Sequence, residues 1–254
     1  MRTLPSGAQV DLFETLDSTS AETKRRAARG EVTPLWVVAR EQTAGYGRRG
    51  RAWESQLGNF AGSLVFRPEG DPADFPQLSF VCAVAVRAAL QKWAHEDRLA
   101  LKWPNDILAD GGKIAGLLLE RIEMEGAPLV SMGVGVNIAS SPQGMAYPTA
   151  KLADILAKSK VAPAVEDLLA AVDAAFWSAY EQWKAEGFQA IRKTWLRYAK
   201  GIGAAIRVQL PNETLNGYFE GLDDAGALIL RQGDGRRVIT AGEIMFGDPR
   251  AETI

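Results

Sequence analysis

The feature that most constrains this chain is a glycine- and arginine-rich loop that follows a run of apolar residues. Residues 35–39 are apolar at every position, which predicts a strand covered on both faces of a sheet. The loop then carries three glycines and three arginines: Gly45, Gly47, Arg48, Arg49, Gly50 and Arg51. Glycine lets a backbone approach a ligand closely, and guanidinium groups bind phosphate or carboxylate oxygens. The loop is therefore predicted to bind an anion.

The glycines match the G-x-G-x-x-G pattern of dinucleotide-binding proteins, but their context does not. In that motif the glycines open a helix, so that the pyrophosphate meets the helix N-terminus. Here residues 51–58 lead directly into another strand-like run and leave no room for a helix. The chain also lacks the P-loop motif G-x-x-x-x-G-K-[ST]. A solvated basic turn remains open as an alternative to an anion-binding loop.

Composition and charge are those of an ordinary globular protein. The chain has 254 residues, of which 47% are hydrophobic and 24% charged, and this favours one large domain with a smaller one. The net charge of -2 argues against a general nucleic-acid binder. One cysteine, Cys82, and one histidine, His95, cannot supply a structural zinc site. Cys82 lies in an apolar pattern and is expected to be buried.

The N-terminus and the cysteine count bear on the compartment. Residues 1–7 lack the apolar core of a signal peptide, and no apolar run approaches the length of a membrane span. A single cysteine excludes an intramolecular disulfide and favours a reducing compartment. A cytoplasmic protein is expected.

Hydrophobic periodicity predicts mixed α and β elements over the first 199 residues. Thr19 and Glu22 fit a capping box for a helix that ends near Arg29, and residues 75–95 form a long apolar helix that should be deeply buried. Strands are predicted over 59–67, 99–103 and 130–138, with a hairpin of 107–109 and 113–121 that turns at Gly111 and Gly112. Helical spacing is found at 152–158, 165–183 and 188–198.

The pattern changes after residue 200. Five short strands are predicted at 205–209, 217–222, 227–230, 237–240 and 243–246, separated by turn residues such as Asp223, Asp224 and Gly226. They predict a small β-barrel over 200–254, which is too small to be the main catalytic body.

Two further segments place polar residues at strand ends. Residues 102–106 read Lys-Trp-Pro-Asn-Asp, and because Pro104 cannot continue a central strand, the chain should turn there and present Asn105 and Asp106. Lys113 begins the second hairpin strand. The strand over 130–138 contains Gly133, Gly135 and Asn137, so little side-chain bulk covers one face, and another group is expected to approach it closely.

In combination these segments resemble the biotin protein ligase family, whose members attach biotin to carboxylases. The matching pieces are Asp17-Ser18-Thr19, the loop from Gln42-Thr43-Ala44-Gly45 to Arg51-Ala52-Trp53, Lys102-Trp103-Pro104-Asn105-Asp106, Lys113-Ile114-Ala115-Gly116 and Gly133-Val134-Gly135-Val136-Asn137. Their order and spacing agree across about 120 residues. Each motif is weak alone, and together they are specific.

The resemblance implies an α+β fold and an adenylate-forming reaction. The fold would be a mixed sheet flanked by helices, like that of class II aminoacyl-tRNA synthetases, over residues 1–199, followed by an SH3-like barrel over 200–254. The enzyme would activate biotin with ATP and Mg²⁺ as biotinyl-5'-AMP and transfer it to a lysine of a biotin carboxyl carrier protein or domain. No tightly bound prosthetic group is implied.

The resemblance also implies roles for individual residues. Lys113, Arg48 and Asp106 would be catalytic, with Asp106 also the Mg²⁺ ligand. Biotin would be bound by Ser18, Thr19, Ser20, Gln42, Gly45, Tyr46, Gly47, Arg48, Lys113 and Gly116. ATP would be bound by Arg48, Arg51, Trp53, Asn105, Lys113 and Asn137. Locally, Ser18 and Thr19 could equally be helix caps, Trp53 a core residue and Asp106 a turn residue.

The chain departs from the family pattern at two positions. Tyr46 stands where the family commonly has arginine, and Ser20 where it commonly has asparagine. The loss of one guanidinium puts affinity for the intermediate in question. The Ser18-Thr19 motif begins too early for the helix-turn-helix domain of bifunctional members, so no DNA binding is expected. Without an apolar run of sufficient length, membrane binding is not expected either. A monomer or a homodimer is expected.

Two alternatives remain beside a monofunctional biotin ligase. A lipoate or octanoate transferase of related fold would act on another acyl group, and lipoate rather than biotin should then stabilise it. A nucleic-acid-binding module would use the arginine loop and the barrel, and its binding to RNA should weaken with salt. In the family the loops over the adenylate order on binding, so residues 48–51 and 143–149 are expected to be mobile without ligand.

Overall fold

A computed structural model describes residues 2–31 and 34–246 of the chain. The strands are β1 Arg2–Thr3, β2 Gln9–Leu16, β3 Leu35–Gln42, β4 Phe60–Phe66, β5 Leu99–Lys102, β6 Asp106–Ala109, β7 Gly112–Ile122, β8 Leu129–Val136, β9 Ala205–Gln209, β10 Thr214–Leu222, β11 Leu228–Gln232, β12 Gly235–Ile239 and β13 Glu243–Phe246. The α-helices are α1 Thr19–Ala28, α2 Leu78–Leu90, α3 Val165–Glu186 and α4 Phe188–Arg197.

The first eight strands form one mixed sheet in the order β1-β2-β3-β4-β8-β7-β6-β5. Only β2 and β3 run parallel, because α1 carries the chain back between them. The central strands β4 and β8 are buried almost throughout, and β3 is buried over its first five residues, which agrees with their apolar sequences.

Helices cover both faces of this sheet. Alternate residues of β3 enter two separate clusters, since Trp36 and Val38 pack with α2 and α3, whereas Leu35 and Val37 pack with Ala27 of α1. A mixed sheet flanked by helices was predicted, and this prediction is confirmed. The arrangement leaves α1 alone on one face, with room beside it.

The last five strands form a second sheet in the order β12-β11-β10-β9-β13, with every neighbouring pair antiparallel. Its core consists of buried apolar residues that alternate along the strands: Ile206, Val208, Phe219, Leu228, Leu230 and Ile244. Trp103 connects the two parts by donating a hydrogen bond from Nε1 to the Gly226 carbonyl at 3.1 Å. Residues 247–254, which the sequence assigned to the barrel, lie outside the described residues.

Three element predictions were wrong in detail. Ser18 and not Thr19 caps α1, since the Ser18 hydroxyl accepts from Ala21 N at 3.3 Å, and Glu22 instead pairs with Arg25 and Arg26 of the helix. The helix predicted over 75–95 is a 3₁₀ turn, Pro72–Gln77, followed by α2, which ends at Leu90.

The helix predicted over 152–158 is only a 3₁₀ turn, Leu152–Asp154. The backbone there is committed elsewhere, because Leu152 N donates to Asn137 O at 2.9 Å and Ala153 N to Ile138 O at 3.0 Å. The segment therefore runs beside the end of β8 and cannot continue as a helix.

Residues 72–90 are long and apolar enough to cross a membrane by length and composition alone. Most of this segment is buried against the sheet and α3, and Cys82 lies within it. Its apolar character is therefore accounted for by its place in the core.

Candidate active site

One cavity opens on the face of the larger sheet that α1 covers. Its floor consists of the small residues Ala61, Gly116, Gly133 and Gly135. These occupy the alternate positions of β4, β7 and β8 that point away from α2 and α3. The sheet therefore offers a floor without side-chain bulk.

The group predicted to approach the glycines of β8 is the indole of Trp53. A Cβ at Gly135 would lie 2.3 Å from Trp53 Cε2, and one at Gly116 would lie 3.0 Å from Trp53 Cζ3. Both glycines are therefore required by close packing against the ring. Trp53 lines the cavity and is not a core residue.

The arginine loop is held by its own backbone. Gly47 N donates to Arg51 O at 2.8 Å, and Trp53 N donates to Gly45 O at 2.9 Å. Between these bonds Arg48–Gly50 form a 3₁₀ turn, in which Arg49 has a φ of 57° and Gly50 a φ of 71°. This tight turn directs the Arg48 side chain to the cavity and leaves Arg49 more exposed.

At one part of the cavity wall, α1 and β3 supply neutral polar groups. Thr19 donates to Gln42 Oε1 from its backbone N at 2.8 Å and from its hydroxyl at 3.1 Å. Ser20 lies beside them, and all three residues line the cavity. This part of the wall can form hydrogen bonds but carries no charge.

The two segments at the strand ends meet the arginine loop at the cavity. Lys113 Nζ lies 2.7 Å from Asp106 Oδ1, and Arg48 Nη1 donates to Asn105 Oδ1 at 3.2 Å. Lys113 Nζ also lies 5.7 Å from the ring centroid of Trp53. Lys113 and Arg48, which the resemblance names as catalytic, therefore face one space.

Positive charge exceeds negative charge around this space. Among the described residues, the cavity is lined by five cationic side chains, Arg48, Arg49, Arg51, Lys102 and Lys113, and by two carboxylates, Asp106 and Glu243. Burial lowers the pKa of Arg48 and of Lys102, although nearby carboxylates act in the opposite direction. Partly buried cations in excess favour an anionic ligand, which would restore their charge balance.

Most of the predicted site residues lie together at the cavity. Those that line it are Thr19, Ser20, Gln42, Tyr46, Gly47, Arg48, Arg51, Trp53, Asn105, Asp106, Lys113 and Gly116. Ser18, Gly45 and Asn137 do not. Ser18 caps α1, and Gly45 carries the turn, where a Cβ would lie 2.7 Å from Trp53 O.

Asn137 supports the strand that carries Lys113. Its Nδ2 donates to Lys113 O at 3.4 Å and to Ala150 O at 3.1 Å, and the residue is 2% exposed. Its Oδ1 is buried and has no hydrogen-bond partner among the described residues. Asn137 therefore acts here on the position of Lys113, and its predicted contact with a nucleotide stays a prediction.

Tyr46, where the resemblance implies an arginine, joins a charged pair at the cavity edge. Its hydroxyl lies 3.2 Å from Lys24 Nζ and 3.2 Å from Glu120 Oε2, and Lys24 pairs with Glu120 at 2.7 Å. Burial raises the pKa of Tyr46, so the phenol stays neutral. The loop therefore presents an uncharged phenol at this position, and its effect on affinity for the intermediate stays a prediction.

Sequence reasoning missed Lys102 and Glu243 as cavity residues. Lys102 begins the segment 102–106, so its neighbours Asn105 and Asp106 could have indicated that it also lies at the cavity. Glu243 lies in the barrel and accepts a bidentate pair of hydrogen bonds from Arg51 at 2.7 and 2.5 Å. Arg51 and Glu243 are 192 positions apart in the sequence, and a contact of this kind leaves no local sequence pattern. These bonds lower the pKa of Glu243 and keep the barrel at the cavity edge.

Comparisons with known proteins agree with this arrangement. The model of the biotin/lipoate A/B protein ligase family matches residues 12–137, and that of the biotin protein ligase C terminal domain matches residues 201–247. A biotin–[acetyl-CoA-carboxylase] ligase of Paracoccus denitrificans is 43% identical over 91% of this chain and 98% of its own length. The bifunctional ligase/repressor BirA of Bacillus subtilis is 32% identical over 97% of this chain and 77% of its own length.

Solved structures share the fold. The biotin protein ligase from Aquifex aeolicus in complex with biotin and ATP superimposes with a TM-score of 0.77 at 22% identity, covering 93% of this chain and 97% of that one. The Leishmania major enzyme in complex with biotinyl-5-AMP gives a TM-score of 0.62 at 23% identity, covering 94% and 99%. With the relatives at 43% and 32% identity, these likenesses show that the chain belongs to the biotin protein ligase family.

Proposed function

We propose that this chain is an ATP-dependent ligase that activates biotin as biotinyl-5'-AMP and transfers it to a lysine of a biotin carboxyl carrier protein or domain. The observation that carries the proposal is one cavity with two kinds of wall. Thr19, Ser20 and Gln42 form a neutral polar part, and the arginine loop and Lys113 supply excess positive charge. A neutral ureido ring and the charged groups of biotin and ATP require those two environments.

The first half-reaction joins two anions. A carboxylate oxygen of biotin attacks the α-phosphorus of ATP, the bond to the bridging oxygen of the β-phosphate breaks, and pyrophosphate leaves. Both reactants are negatively charged, so their approach requires fixed positive charge where charge develops. Lys113 and Arg48 supply it near the floor, and Lys102 and Arg51 supply it toward the barrel.

The second half-reaction forms the amide bond. The neutral amine of the acceptor lysine attacks the carbonyl carbon of the mixed anhydride, AMP leaves with the bonding electron pair, and the amine nitrogen loses a proton to solvent or to AMP. Arg48 and Lys113 would hold the phosphate oxygen of AMP as negative charge returns to it. The polar wall keeps the biotin ring in place through both steps.

Mg²⁺ enters with ATP as part of the co-substrate. Among the described residues, no group of three or more His, Cys, Asp or Glu side chains could hold a metal. Asp106 is a single carboxylate already paired with Lys113, and Asn105 adds one amide oxygen. This donor set suits an ion whose other ligands are phosphates and water. The role of Asp106 as its ligand stays a prediction.

Mass spectrometry of a carrier domain tests the function. Incubating the pure protein with biotin, Mg-ATP and a biotin carboxyl carrier domain should add one biotinyl group to the carrier. The gain should disappear without ATP, and it should disappear when the acceptor lysine of the carrier is replaced by arginine. No gain in the complete mixture would contradict the proposal.

The pocket favours biotin over lipoate or octanoate. The wall formed by Thr19, Ser20 and Gln42 can form further hydrogen bonds, which the ureido group of biotin can use and an apolar acyl chain cannot. Thermal stabilisation by lipoate with none by biotin would reverse this assignment. The absence of DNA binding, a cytoplasmic location and a monomeric or homodimeric state also stay predictions.

Ligand binding is expected to protect two loops from proteolysis. Residues 48–51 form the turn of the arginine loop, and residues 143–149 belong to the loop that follows β8, whose Thr149 pairs with Lys113. Biotin with ATP should slow cleavage at both loops, because bound phosphates would pair with the arginines. Cleavage of residues 212–214 in the barrel serves as the internal control. Equal cleavage of all three sites with and without ligand would contradict the expectation.

A further inference from the structure

A line of hydroxyl groups runs from the cavity wall into the interior of the larger sheet. Ser63 of β4 is fully buried and does not line the cavity. Its Oγ lies 2.8 Å from Thr19 Oγ1 and 3.1 Å from Ser20 Oγ. Ser63 thus stands behind both hydroxyl residues of the neutral wall, in a position where an apolar side chain would be usual.

The direction of every hydrogen bond in this line follows from one fixed acceptor. Gln42 Oε1 must be an oxygen, because the Thr19 backbone N–H donates to it at 2.8 Å. The Thr19 hydroxyl also donates to it, at 3.1 Å, so its single proton is used. The order in which every one of these contacts has a proton is the one where Ser63 donates to Thr19 and Ser20 donates to Ser63.

This order determines what the wall offers to a ligand. The protons of Thr19 and Ser20 both point away from the cavity, so these two oxygens present only lone pairs to it. The amide nitrogen of Gln42 is left as the donor of the group. Acceptors beside a donor complement a ureido ring, which carries two N–H groups and one carbonyl oxygen.

We propose that Ser63 is a positioning residue that sets the hydrogen-bond polarity of the biotin pocket without touching biotin. The proposal rests on the proposed function, since it names the residue that orients the ureido-binding groups. Without the Ser63 hydroxyl, Ser20 has no acceptor behind it, and its proton can turn into the cavity toward an N–H of the ring. Thr19 loses its donor at the same time.

The variant Ser63→Ala tests this, with Ser131→Ala as its matched control. Ser131 of β8 is also fully buried and also bonds a hydroxyl of α1, Thr23 Oγ1 at 2.7 Å, but that pair does not line the cavity. Ser63→Ala loses the hydroxyl contacts of Ser63 with Thr19 and Ser20, and Ser131→Ala loses the contact of Ser131 with Thr23, in each case between a strand and the same helix. The melting temperature should therefore fall in both variants, and further in Ser63→Ala, whereas only Ser63→Ala should alter biotin recognition.

The expected result is a KM for biotin raised about tenfold in Ser63→Ala, with kcat and the KM for ATP unchanged, because the effect is one misdirected hydrogen bond in ground-state binding. Ser63→Cys keeps a weak donor and should recover part of the loss. Equal biotin KM values in Ser63→Ala and Ser131→Ala, or a cysteine variant no better than the alanine one, would overturn the proposal. Failure of the wild-type protein to bind biotin would instead overturn the proposed function.

Discussion

Replacing Lys113 by alanine is expected to lower the rate of biotinyl-adenylate formation about a thousandfold while the fold stays intact. A unit charge about 4 Å from a reacting anion contributes about 4 kcal/mol at an effective dielectric of about 20, and each 1.36 kcal/mol changes a rate about tenfold. The backbone of Lys113 is fixed on both sides, since its N donates to Pro148 O at 2.8 Å and its O accepts from Ala150 N at 2.9 Å. Its ammonium is held by Asp106 at 2.7 Å, so the charge is in place before the substrates bind.

Pyrophosphate release in a single turnover with biotin and Mg-ATP measures this step directly. Lys151→Ala is the matched control, because Lys151 lies on the neighbouring segment and contacts only Asp154, at 3.7 Å, among the ion pairs of the described residues. It removes the same charge from a residue that does not line the cavity and should leave the rate within twofold of the wild type. A Lys113→Ala rate within tenfold of the wild type would contradict the assigned role.

The fold could be predicted where the sequence pattern is local. Residues 35–39 are apolar on both faces and form β3, and the five short strands after residue 200 form the second sheet near their predicted positions. The pattern failed at 152–158, where helical spacing was present but hydrogen bonds to Asn137 and Ile138 hold the backbone. Tertiary contacts of this kind override local preference and leave no mark on periodicity.

The site residues that belong to recognisable motifs could be predicted from the sequence. The site residues that act only through another residue could not. Lys113, Asp106 and Arg48 were named from their segments and lie at one cavity. Glu243 and Ser63 were not, because the first reaches the site from the other sheet and the second lies behind its wall. In other proteins a glutamate on a short strand or a serine in an apolar strand has an ordinary structural role, so neither residue indicates a site in the sequence.

The glycines of the cavity floor leave room for the Trp53 indole, so replacing Gly135 is expected to displace the ring. Gly135→Ala would place a Cβ 2.3 Å from Cε2, 2.5 Å from Cζ2 and 2.6 Å from Nε1 of the Trp53 indole. Such separations are far below van der Waals contact, and β8 is held between β4 and β7, so the strand cannot retreat. The indole must leave its place in the wall. The kcat/KM for ATP is expected to fall about ten- to hundredfold, from overpacking of about 1–3 kcal/mol.

A double-mutant cycle separates loss of the indole from damage to the sheet. If Gly135→Ala acts by displacing Trp53, it should add little to the effect of Trp53→Ala, because the ring is already absent. Gly221→Ala is the control for an added methyl group in a strand, since a Cβ there would meet nothing within 4 Å. Additive losses of kcat/KM from Gly135→Ala and Trp53→Ala would mean that the methyl group disturbs β8 itself. Non-additive losses would mean that Gly135→Ala acts only by displacing the Trp53 indole, for which the glycines of the floor leave room.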